Sequence, residues 1–85
     1  MSELMFTMTL DELCDSEGIA TELVIEIVEY GIIKPLKDDE YEQWLFDSTS
    51  VHWLKKSLRL QRDFEIDWVA VAMLIELMQK NEELQ

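Results

Sequence analysis

The chain has 85 residues, of which 19 are acidic and 7 basic, for a formal net charge of −12, and 48% of it is apolar. That length allows one domain with a thin core, and that apolar share excludes a disordered chain away from its ends. The charge disfavours nucleic acid and anionic membranes and draws basic partners.

Cys14 is the lone cysteine, which rules out an internal disulfide and suits a reducing cytoplasm. The start lacks a basic segment followed by an apolar one, so no signal peptide is expected. The longest apolar run, Trp68 to Ile75, is far short of the ~20 residues that cross a bilayer.

Leu4 to Met8 reads as a short edge strand or an extended lead-in. A helix then opens on Thr9, with Glu12 three residues on, the spacing of a capping box. Met8 and Leu13 sit as a hydrophobic staple, and Leu10, Leu13 and Cys14 share a face. Gly18 suits a left-handed end to this helix. A second helix follows a tight turn, with Thr21 as its expected N-cap. Leu23, Val24, Ile27 and Val28 face inward, and Gly31 with Pro35 marks its end. Helix, short turn, helix is the helix-turn-helix plan.

Two short apolar runs come next, Ile32-Ile33 and Trp44-Leu45-Phe46, separated by polar Lys37-Asp38-Asp39-Glu40. They are expected to pair as a two-stranded wing. Asp47 or Ser48 caps a third helix, with Val51, Leu54 and Leu58 on one stripe and Trp53, Leu60 and Phe64 on its neighbour. Asp67 caps a fourth, in which Val71, Leu74, Ile75 and Met78 are apolar, and so are Val69, Ala72, Met73 and Leu77. A helix apolar on most sides has more than one face to bury. One meets the core, and the other suits a partner or a second copy.

The expected fold is mainly α: a winged helix-turn-helix with four helices and a short two-stranded wing. It forms a single domain over residues 1–85, with the helix-turn-helix over about 9–31, the wing over about 32–46 and two longer helices over about 48–82.

Little here suggests catalysis. Asp38, Asp39, Glu40 and Glu42 lack the alternating ligands and central glycine of a calcium loop and read as a solvated wing tip. His52 stands alone as a surface histidine. Cys14 has acidic neighbours, Asp15 and Glu17, that disfavour a thiolate. With no Gly-rich phosphate loop and no metal-ligand spacing, neither an enzyme, a cofactor nor a metal is expected.

The placement of charge separates the binding classes. No Lys or Arg precedes Lys34, and Glu22, Glu26 and Glu29 share the outward face of the second helix. A DNA-reading helix-turn-helix puts that helix in the major groove, and its affinity comes largely from Lys and Arg at phosphates. At ~7 Å from a phosphate each carboxylate would cost roughly 0.6 kcal/mol in water before screening. Ile25 sits among these acids, either as an interface anchor with a polar rim or packed beneath its neighbours. The third helix is the opposite. His52, Lys55, Lys56, Arg59 and Arg62 line one polar face that could pair with the chain's own carboxylates, with phosphates, or with an acidic group on a protein. The candidate partner-binding residues are therefore Glu22, Ile25, Glu26 and Glu29, with Arg59 and Arg62 as a second set able to fork onto a carboxylate.

The run Gly31-Ile32-Ile33-Lys34-Pro35 and the later Phe46-Asp47 resemble the MerR-type winged domain. More specifically, Arg59-Leu60-Gln61-Arg62-Asp63-Phe64-Glu65-Ile66-Asp67-Trp68 with Val71-Ala72 resembles the CbpM chaperone-modulator family, a likeness running from about Phe6 to Met78. Departures are Ala70, where members often carry Gly, and the end at Gln85, where many continue into a longer helical tail. The resemblance implies a protein that binds the J-domain of a CbpA-type, DnaJ-like co-chaperone and blocks both its stimulation of Hsp70 and its DNA binding. It implies no direct nucleic acid contact and no membrane, and a homodimer through the last helix remains open. The alternative is a MerR-like transcription regulator that binds DNA as a dimer.

Overall fold

The computed structural model describes residues 6–37 and 40–83. Strand β1 (Thr7–Thr9) leads directly into helix α1 (Leu10–Glu17), and α2 (Thr21–Glu29) follows. A single 3-10 turn (Tyr41–Gln43) precedes β2 (Leu45–Asp47), and α3 (Ser48–Phe64) and α4 (Trp68–Glu83) complete the fold.

Local chemistry sets these boundaries. The Thr9 backbone N–H donates to the Glu12 carboxylate at 2.9 Å, and the Glu12 N–H donates back to Thr9 Oγ1 at 3.1 Å, so the expected capping box forms. Gly18, at φ 67, ends α1, where the Ile19 N–H reaches the Cys14 carbonyl. Gly31, at φ 80, does the same for α2. Its N–H donates to Val28, and that of Ile32 to Ile27, the paired bonds of a Schellman ending. The Asp47 carboxylate accepts from the Ser50 N–H and that of Asp67 from the Ala70 N–H, both at 2.9 Å, capping α3 and α4.

Three expectations need correction. The N-cap of α2 is Ala20, with no side-chain bond to the helix. Thr21 is already helical, and its hydroxyl accepts from the Cys14 thiol at 3.7 Å. The two-stranded sheet pairs β1 with β2, antiparallel, with Met8 opposite Phe46; Ile32-Ile33 is not a strand. Consecutive strand residues face opposite sides, yet Ile32 and Ile33 are both buried, and the Ile32 N–H is spent on the end of α2. Of the expected pairing with Trp44 to Phe46 there remains the Leu36 N–H donating to the Leu45 carbonyl at 2.9 Å. Finally, Phe64, expected on the buried face of α3, is exposed. Phe64 is the last residue of α3, beyond the reach of the core. The Asp38-Asp39 part of the wing tip, and Leu4 and Met5 of the expected lead-in, lie outside the described residues.

One hydrophobic cluster joins Leu10, Leu13 and Cys14 of α1, Val24 and Ile27 of α2, Ile32, Ile33, Phe46, then Val51, Trp53 and Leu54 of α3 and Val71 and Ile75 of α4. Fully burying a Leu or Ile contributes about 1.5–3 kcal/mol. Ser57 is buried among them because its hydroxyl donates to the Leu54 carbonyl at 2.8 Å. The Ser50 hydroxyl donates to the Lys34 carbonyl at 3.0 Å and so ties the loop after α2 to the start of α3. Val24 and Ile27 hold α2 and are fully buried, with Leu23, Ile25 and Val28 packed part-buried beside them, which leaves the side of Glu22, Glu26 and Glu29 open.

Candidate functional site

That open side of α2 is concave. Glu22, Ile25, Glu26 and Glu29 line an open cavity of about 470 Å³, and Tyr30 completes it. The four residues singled out from the sequence thus come together. Glu22, Glu26 and Glu29 are exposed, and Ile25 is half-buried and packs against the core cluster. Its inner side rests on the core cluster, and it also lines the cavity. Tyr30 is 41% exposed and was not foreseen. Its signal in the sequence is its place four residues after Glu26, which puts it on the same helical face. No ion pair neutralises the acids of this face among the described residues.

Arg59 and Arg62 share a second depression, on α3, with Lys55, Leu58 and Glu17. It is not part of the α2 cavity. Glu17 was also unforeseen here. From the end of α1 its carboxylate approaches Lys55 Nζ at 3.8 Å, so the basic face is partly answered from within the chain. Arg62 Nε lies 3.4 Å from the neighbouring Asp63, an exposed pair of small worth. Arg59 has no carboxylate partner among the described residues. Lys56 stands 5.9 Å from the ring centre of Trp53, which carries it away from the depression. His52 is exposed beside Trp53.

The third surface is α4. Val71 and Ile75 hold it to the core, while Val69, Met73 and Leu77 are each more than half exposed and Leu74 is 38% exposed. Among the described residues no three His, Cys, Asp or Glu side chains are grouped to hold a metal ion, and no helix is long and apolar enough to cross a membrane. Cys14 is a free, buried thiol.

An open acidic concavity, a basic edge and a bare apolar helix face present side chains for contact. The sequence matches the MerR HTH family regulatory protein over residues 8–85. It is also 34% identical over 84 residues to a protein of Pseudomonas putida named chaperone modulatory protein CbpM, covering 99% of this chain and 82% of that one. The proteins of the same name from Salmonella paratyphi B and Salmonella newport are 32% identical over 85 residues, covering all of this chain and 83% of theirs. The chain belongs to the CbpM chaperone-modulatory family, within the MerR-type helix-turn-helix proteins.

Proposed function

We propose that this protein is a chaperone modulator that binds the J-domain of a CbpA-type, DnaJ-like co-chaperone in the cytoplasm and inhibits its co-chaperone and DNA-binding activities. The observation that carries this reading is the α2 face: three unpaired carboxylates around a half-buried isoleucine, on the helix that a DNA reader would insert into the major groove. Phosphates are repelled there, whereas a basic protein surface is steered in and meets an apolar anchor. A basic surface covered in this way is lost both to an Hsp70 partner and to DNA. The names borne by the relatives support the same reading.

Arg59 and Arg62 form a second candidate contact, suited to an acidic group at the edge of the same partner. The Leu74 and Leu77 stripe of α4 is suited to a second copy of the chain. The basic edge of α3 favours a second reading, a MerR-like regulator that touches DNA as a dimer through that edge. Calorimetric titration against an isolated CbpA-type J-domain, at low and moderate salt, tests the first reading. Saturable binding that weakens with salt is expected, with loss of Hsp70 ATPase stimulation at the same stoichiometry. Absence of binding under both conditions removes it. A gel shift with random duplex DNA at low salt tests the second, since a DNA binder retains non-specific affinity there.

A further inference from the structure

The α2 cavity does not end at Tyr30. A second cavity, of about 270 Å³, begins at the same tyrosine and continues along α4, where Val69, Ala72, Met73, Glu76 and Gln79 line it. The exposed Tyr30 ring lines both concavities, which therefore adjoin on one surface running from α2 onto α4. Its floor is apolar: Ile25, Tyr30 and Ala72, with Val69 53% and Met73 62% exposed. Both concavities carry acids, Glu22, Glu26 and Glu29 on α2 and Glu76 on α4, one set on each side of Tyr30 along the chain. Glu76 has a partner in Lys80 at 3.6 Å, but both side chains are two-thirds exposed, and such a pair is easily exchanged for another cation.

From this geometry we infer that the groove formed by the two adjoining concavities takes one amphipathic cationic helix, its apolar stripe on Tyr30 and Met73 and its Lys or Arg side chains reaching the acids of both. This rests on the J-domain reading and specifies the element of the partner that is seized. Three observations select the occupant. The groove is walled by helices and offers no strand edge, so an incoming segment must satisfy its own backbone hydrogen bonds, as a helix does. Carboxylates in both concavities would be desolvated without compensation by an uncharged partner, and cations flanking an apolar stripe compensate them. A second copy of α4 would bring Glu76 and Glu82 against carboxylates already present. Leu74 and Leu77 lie outside the lining, so filling the groove leaves that stripe of α4 free.

The test uses the whole chain, labelled with 15N, and two probes: the isolated J-domain and a model helical peptide with Leu on one stripe and Lys on both flanks. Amide shifts at Tyr30, Val69, Met73 and Glu76, together with those at Ile25 and Glu26, are expected with both. Tyr30→Ala and Met73→Ala should each weaken binding at least tenfold, as removal of a central anchor does, with the exposed Leu36→Ala as the unaffected control. Both variants remove exposed side chains, and circular dichroism checks that they fold. Shifts confined to α2 or displaced to α3, or unchanged affinity in both variants, overturn the inference even where the J-domain binds. Seating of the peptide in the groove without any J-domain binding upholds the groove and removes the J-domain reading. If neither probe perturbs Tyr30 and Met73, the groove is not a helix site.

Discussion

Reversing the charge of the α2 face gives the sharpest expectation for J-domain binding. In the variant Glu22→Lys, Glu26→Lys, Glu29→Lys each substitution changes the charge by two, so the net charge moves from −12 to −6. All three side chains are exposed and lie on one wall of the cavity, so the core cluster is untouched. With a partner cation ~7 Å from each carboxylate, the attraction in water is roughly 0.6 kcal/mol per pair before screening. At 10 mM salt the Debye length of ~30 Å leaves most of that, and reversal of three pairs costs about 3 kcal/mol, roughly a hundredfold in Kd. At 150 mM the ~8 Å screening length leaves under half, and the cost falls to about 1.5 kcal/mol, roughly tenfold.

The informative quantity is the change in that loss with salt. Stopped-flow association across a salt series reads it directly, because steering acts on the association rate. The wild-type rate should fall steeply with salt, while the variant's should be flat or rise. An equal loss at every ionic strength would mean that the substitutions had disturbed shape rather than charge. No loss at all would show that the partner does not approach α2, and the argument from the acidic face would be refuted.

Glu65 sits at φ 53 and ends α3 in the left-handed region without being glycine. Glu65→Gly should stabilise the fold by about 0.5–1 kcal/mol and raise Tm by roughly 2–8 °C in a thermal melt; an unchanged or lower Tm contradicts the strain. Ala20 occupies the N-cap of α2 with no side-chain acceptor, so Ala20→Ser should add about 0.5–1 kcal/mol in urea unfolding. Leu74→Glu with Leu77→Glu should give a monomer by sedimentation at concentrations where the wild type self-associates; identical profiles remove the α4 dimer. Arg59→Glu with Arg62→Glu should weaken J-domain binding several-fold, without the steep salt effect of the α2 variant; unchanged calorimetry limits the contact to α2 and α4.

Which features were legible in the sequence follows from the range over which each is determined. The capping box of Thr9 and Glu12, the glycine ending at Gly18 and the caps Asp47 and Asp67 are settled within four residues, and all four formed as expected. The strand pairing was not local. Ile32-Ile33 has strand-like composition, but its burial on both sides and the Schellman bond of Ile32 take it out of a ladder. The edge of β2 is then met by Thr7 to Thr9, from the opposite end of the chain. Thr21 misled because its hydroxyl is engaged by Cys14, a contact across a turn that the cap pattern does not encode. In the candidate site, the spacing of Glu22, Ile25, Glu26 and Glu29 was enough to bring them together, since one helix decides it. Tyr30 lies at the same helical spacing, four residues after Glu26, whereas the α4 residues could not be added from spacing, because their proximity to Tyr30 depends on how α4 docks through Val71 and Ile75.

The architecture also explains how a DNA reader's fold can serve a protein partner without being rebuilt. In a helix-turn-helix the first helix and the core hold the second helix with one face outward, and that outward face contributes little to stability. Here Val24 and Ile27 do the holding, and Glu22, Glu26 and Glu29 are free of structural duty. Changing those positions from basic to acidic costs the fold almost nothing, since exposed single charges alter stability by tenths of a kcal/mol. It nevertheless inverts the sign of the field that a ligand meets. The basic residues of α3 lie on a different element, where Lys55 is tied to Glu17 and Arg59 stands apart. The two surfaces carry opposite charge on different elements, so one partner cannot fully satisfy both unless it too is divided into a basic and an acidic part. A J-domain variant whose exposed Lys and Arg are replaced by acids should therefore lose binding to α2 and yet keep a weak, Arg59- and Arg62-dependent contact. If that residual binding is absent, α2 with its neighbouring groove is the whole interface and α3 serves only the fold.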